Sequence, residues 1–125
     1  MARNHKFFFD TDRTPRARGP MSERVLMLFL ENDVQGSDHV CHDLMDDLVA
    51  IEDGSDDERE FIGNAHAIVQ SREGVRIAPL VDGAPDVDTA YRTSLKHFRE
   101  VLEDWEAFIL DDQLDGTSLD DDLLA

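Results

Sequence analysis

Leu95-Lys-His-Phe98-Arg-Glu-Val101-Leu102-Glu-Asp-Trp105-Glu-Ala-Phe108-Ile109 is the stretch on which the fold reading turns. Leu95, Phe98, Leu102, Trp105 and Ile109 recur at spacings of 3, 4, 3 and 4, and Val101 and Phe108 widen the stripe. That period belongs to an amphipathic helix with one buried face. Thr93 or Ser94 stands where a helix cap is needed. Phe98 and Trp105 are expected in a core, packed on a β-hairpin. Burial of each such ring stabilises by about 2–3 kcal/mol. At this spacing a core face is the better reading than an aromatic ligand groove.

Upstream, Phe61–Gln70 and Val75–Val81 read as two strands around Ser71-Arg72-Glu73-Gly74. Val75 and Ile77 alternate with Arg76, so one face of the second strand is wet. Gly74 supplies the positive φ that a short hairpin loop needs. Asp56–Glu60 reads as a polar connection and Asp82–Arg92 as a loop. Val40, Leu44, Leu48 and Ile51 mark another helix over 37–53, capped by Ser37 and ended by Gly54. Val25–Leu30 is a six-residue apolar run that suits a buried strand or a buried helix. Ser22 as a cap, Glu23 in the first turn and the Leu/Met content favour the helix. His5–Asp10 reads as a short aromatic strand, and Thr11–Pro20, with Thr14-Pro15 and Gly19-Pro20, as a basic loop returning along it. The expected architecture is α+β: a small antiparallel sheet packed on two or three helices. It forms one domain over 1–110, followed by a disordered acidic tail at 111–125.

The chain has 125 residues, with 12 Lys plus Arg against 29 Asp plus Glu, a formal charge of −17. Residues 1–24 hold six bases and three acids, or +3, so the remainder carries −20. Such a body repels phosphates, which speaks against direct nucleic-acid binding; the arginines of 13–18 would support only weak, salt-sensitive contact. No apolar run approaches the roughly 18 residues of a membrane helix. Phe7–Phe9 is too short for a signal peptide and is followed by Asp10 and Asp12. With a lone Cys, this reads as a cytoplasmic protein without disulfides.

Catalytic patterns are missing. Ser55, Ser71 and Ser94 lack a nucleophile-elbow context, and no Gly-rich loop precedes a helix. Cys41 flanks an apolar stripe and reads as a small buried hydrophobe, His66 as a hydrogen-bonded structural residue. His39, His42, Asp43 and Asp46 share a helix face as a partial metal set, but further ligands are not apparent. Asp111-x-Gln113-x-Asp115-Gly116 echoes a calcium loop, yet its twelfth position is Asp122 in place of the bidentate Glu. The reading is accordingly no enzyme, no metal and no cofactor.

What the sequence does offer is organised acid: Asp43, Asp46 and Asp47 on one helix, and Glu100, Glu103, Asp104 and Glu106 on the last. These are the candidate contacts to a basic protein partner, such as a nuclease or another nucleic-acid-binding protein, which the chain would dock and inhibit. The alternative is an adaptation to high salt, since twenty Asp and ten Arg stand beside only two Lys.

The order of features also resembles the YacL-like family of small proteobacterial proteins. The resemblance rests on Phe7-Phe-Phe-Asp10, Met21-Ser-x-Arg-Val, Leu44–Ile51, Glu60-Phe61 leading to Val75-Arg76-Ile77, and the Leu95–Ile109 stripe. It spans most of residues 5–110 and departs at the proline-bearing loop 14–20 and the acidic tail. It implies an α+β fold and a cytoplasmic acidic protein, with no established activity to carry over. Small immunity proteins of toxin systems have a similar layout.

Overall fold

The structure, a computed structural model, describes residues 5–124, with side chains through 111. Strands β1 (Lys6–Phe9) and β2 (Pro15–Arg18) form an antiparallel hairpin, with Phe7 opposite Ala17. A 3-10 turn (Met21–Glu23) leads into α1 (Arg24–Phe29), which runs on as a π-helical turn over Leu30–Val34. Helix α2 (Asp38–Glu52) follows. Then come β3 (Glu58–Ile62), β4 (His66–Ser71), β5 (Gly74–Val81), β6 (Ala84–Pro85), a 3-10 turn (Val87–Thr89), β7 (Tyr91–Thr93) and α3 (Leu95–Leu124). The second sheet is antiparallel, in the order β3-β4-β5. The long β5 carries β7 along Val75–Ile77 and β6 along Leu80–Val81. The α+β class read from the sequence is the class observed.

Several boundaries differ from those expected. The loop at 11–20 contains β2, because Arg16 and Arg18 pair with acids while Ala17 alone turns inward, a pattern that hides its strand character. Phe61–Gln70 is two strands, since Gly63-Asn64-Ala65 turns the chain between them, and the polar connection at 56–60 supplies the first residues of β3. Asp82–Arg92 contains β6, a 3-10 turn and β7. Ser22 caps nothing; α1 grows out of the preceding turn without a side-chain cap bond. The expected disordered tail lies, beyond Asp111, outside the described side chains.

Caps explain the sharper ends. Ser37 accepts from the Val40 amide at 3.2 Å, and Ser94 from the His97 amide at 3.0 Å. Gly54, at φ 82°, takes the left-handed position past α2.

The core lies between the three helices and the inner sheet face. Leu26, Phe29 and Leu30 of the first helical segment meet Leu44 and Leu48 of α2, Ile68 and Ile77 of the sheet, and Phe98, Leu102 and Trp105 of α3. Phe98 packs at 6.3 Å from Phe29. Trp105 meets a ring of the N-terminal hairpin, with Phe7 edge-on at 4.9 Å. Its indole N–H donates to the Gln35 carbonyl at 2.8 Å. Gln35 sits at φ 55°, an uncommon conformation for a side chain of its size, which turns its carbonyl toward that indole.

His66 has the structural role read for it. Its Nδ1 donates to Asp33 Oδ2 at 2.7 Å, and Asp33 Oδ1 takes the Ala65 amide at 2.7 Å. This buried pair ties the π-helical turn to the β3–β4 turn. Gly63 is needed there, because a Cβ at 63 would fall 2.7 Å from the Asp33 carboxyl carbon. No helix among the described residues is long and apolar enough to cross a membrane.

Candidate functional site

Two polar regions stand out, and they differ in how their carboxylates are surrounded. The first joins four elements around Glu23, at the end of the 3-10 turn. His5 Nε2 donates to Glu23 Oε1, and the His97 Nε2 and Tyr91 hydroxyl both donate to Oε2 at 2.6 Å. His5 precedes β1, Tyr91 opens β7 and His97 lies in the first turn of α3. The His5 side chain is only 2% exposed. It stacks on Phe7 with the ring planes 9° apart, in a slot that exists because residue 19 has no side chain. A Cβ at Gly19 would stand 2.7 Å from His5 Cδ2.

The electrostatics follow from the donors. Partial burial pushes the Glu23 carboxyl up, but the hydrogen bonds from Tyr91, His5 and His97 outweigh it and hold the group below its ordinary value. Tyr91 is held above its ordinary value, first by burial and then by its bond to Glu23. His5, Glu23 and His97 are also the one group among the described residues whose ligand atoms lie close enough together, within 4.8 Å, to surround a metal ion.

The second region is the acid carried by helices α2 and α3, the helices to which every sequence-predicted contact residue belongs. Asp43 and Asp46 are exposed on α2. Asp47 is half-buried and takes the Arg59 guanidinium at 3.1 Å. Its carboxyl is nonetheless held above its ordinary value, by burial first and then by Asp43 and Asp46 against the pull of Arg59. On α3, Glu103 is exposed and Glu100 and Asp104 are half-exposed. Glu106 departs from this pattern: it points across the helix pair to His42, 2.6 Å away. Its Oε2 makes no hydrogen bond, so the contact is an ion pair only with His42 protonated.

The other sequence candidates disperse. His39 lies 3.6 Å from Asp43 whereas His42 reaches Glu106, so the partial metal set of α2 does not converge on one point. Burial pushes the Cys41 thiol up to about 12, so it stays protonated at neutral pH and is no nucleophile. The arginines of the hairpin are engaged locally: Arg16 with Asp10 at 2.9 Å and Glu31 at 3.5 Å, Arg18 with Glu31 at 2.9 Å.

The Glu23 cluster escaped sequence reading because its members are 18 and 74 residues apart. Local spacing carries no trace of that approach. Read locally, Glu23 is a first-turn acid of the Val25–Leu30 helix and His97 belongs to no pattern. Comparison of the chain with protein-family models, with curated proteins and with solved structures finds no match in any of the three.

Proposed function

We propose that the protein is a non-catalytic, cytoplasmic binding protein whose α2–α3 face docks a basic protein and occludes that protein's own ligand surface. The observation that carries this is exposed, unbridged acid gathered on α2: Asp43 and Asp46 stand in solvent beside Asp47, whose carboxyl is held above its ordinary value by burial first and by these two neighbours last, even with Arg59 3.1 Å away. A lysine- or arginine-rich partner relieves that repulsion on contact, and the −17 field steers it in. The contacts are Asp43, Asp46 and Asp47 on α2 and Glu100, Glu103 and Asp104 on α3, with Glu106 turned toward His42 between the two helices. Nucleic acid is a poor alternative ligand, since the hairpin arginines Arg16 and Arg18 already sit on Asp10 and Glu31.

The test is charge reversal at Asp43, Asp46, Glu100 and Glu103 together. The unmodified chain is used to capture its partner from source cells at low salt, and calorimetry then compares the two chains against that partner. A loss of at least tenfold in affinity, with unchanged circular dichroism, supports the reading. Equal affinity overturns it.

Composition supports a second reading, in which the acidity serves solubility in concentrated salt: twenty Asp accompany two Lys. Under it, molar potassium chloride raises Tm markedly and the fourfold reversal removes most of that rise. A flat Tm against salt argues against it.

A further inference from the structure

We infer that His5, Glu23 and His97 form a binding site for one divalent transition-metal ion of the zinc class. Two imidazoles and one carboxylate are a donor set zinc accepts, with a fourth position left to water. The ligand atoms lie within 4.8 Å of one another. Around zinc, bonds of about 2.0–2.2 Å place tetrahedral neighbours roughly 3.3 Å apart. His5 and His97 now both touch Glu23, His97 at 2.6 Å, so each imidazole has to draw back from the carboxylate by on the order of 1 Å to admit the ion. His97 can make that movement: its side chain is 33% exposed, on the first turn of a helix, and it provides the way in from solvent.

The surroundings already resemble an outer coordination shell. The Tyr91 hydroxyl donates to Glu23 Oε2 and orients the carboxylate, as partners behind metal ligands do. The ring of His5 is fixed by Phe7 and by the slot at Gly19, so little side-chain freedom remains to be lost on binding. Its Nδ1 is buried and has no hydrogen-bond partner. Moving the ring proton from Nε2 to Nδ1 frees the Nε2 lone pair for the ion and leaves the Nδ1–H without an acceptor, a cost that the metal bonds have to exceed. The acidic surface raises the local concentration of cations. The inference is independent of the docking face, because the cluster shares no residue with it.

Zinc titration of the full chain by calorimetry, together with cobalt(II) absorption, tests the site. One equivalent binds at micromolar concentration or below, and cobalt shows the intense visible bands of a tetrahedral centre. His97→Gln weakens zinc at least thirtyfold, and the double variant His39→Gln with His42→Gln leaves it unchanged. Ring-nitrogen resonances of the unsubstituted chain supply a check that needs no variant: zinc moves the His5 and His97 signals to the Nδ1–H form. Absence of saturable binding below millimolar zinc, binding that survives His97→Gln, or shifts confined to His39 and His42 would each overturn the assignment.

Discussion

Glu23 and Asp47 are both half-buried acids beside a helix, and their environments drive them in opposite directions. Glu23 receives three donors from three separate elements and is held low. Asp47 is held high, first by burial and last by its like-charged neighbours Asp43 and Asp46, against the pull of its one donor, Arg59. Carboxylates surrounded by donors fasten a fold, whereas carboxylates crowded by carboxylates tax it and are relieved only from outside. On this chain the first kind sits where the hairpin, β7 and α3 converge. Asp47, on α2, is the example of the second.

The sharpest way to break that contrast is Glu23→Ala. It leaves the Tyr91 hydroxyl and the His5 imidazole without their acceptor, and chemical denaturation should register a loss of about 2–4 kcal/mol, roughly 10 °C in Tm. Next is Gly19→Val, which drives a side chain into the His5 ring and should cost about 1–3 kcal/mol. Gly36→Ala is its control, because no atom lies within 4 Å of a Cβ there; it should be neutral or stabilise by up to about 1 kcal/mol.

Acid titration of stability sharpens the comparison further. Because the folded Glu23 lies below its unfolded value, its contribution is complete above the ordinary carboxylate range and disappears as pH falls through the lowered value. Asp47 behaves in reverse: its penalty is complete above the raised value and is relieved as pH falls through it. Thermal melts with a chelator present should therefore show Glu23→Gln flattening the acid limb and Asp47→Asn steepening it. The smallest effect is expected of Asp46→Ala, a change within about 0.5 kcal/mol and of stabilising sign, since it removes only repulsion at an exposed position.

The fold was legible wherever burial imposed a period. The Leu95–Ile109 stripe and the Ser37-capped helix are local patterns, and both helices form where they were read. Strand β2 was not legible, because three of its four residues face partners or solvent and its alternation reduces to Ala17. The split of 61–70 depended on Gly63 and Asn64 turning over the buried Asp33 carboxylate, a contact reaching thirty-two residues back to accept the Ala65 amide. The candidate sites divide the same way. The helical acids were visible because helix period alone sets their face. The His5–Glu23–His97 cluster depends on the docking of the hairpin against α3, which only the assembled core produces.

One contact made by that core has a practical reach. Trp105 is the sole tryptophan, its indole N–H is held by the Gln35 carbonyl and its ring edge by Phe7 of the hairpin. Any event that lifts the N-terminal strands must alter the surroundings of this one fluorophore. The molecule thus contains its own optical gauge, readable without a label, for whether the β1–β2 hairpin is seated.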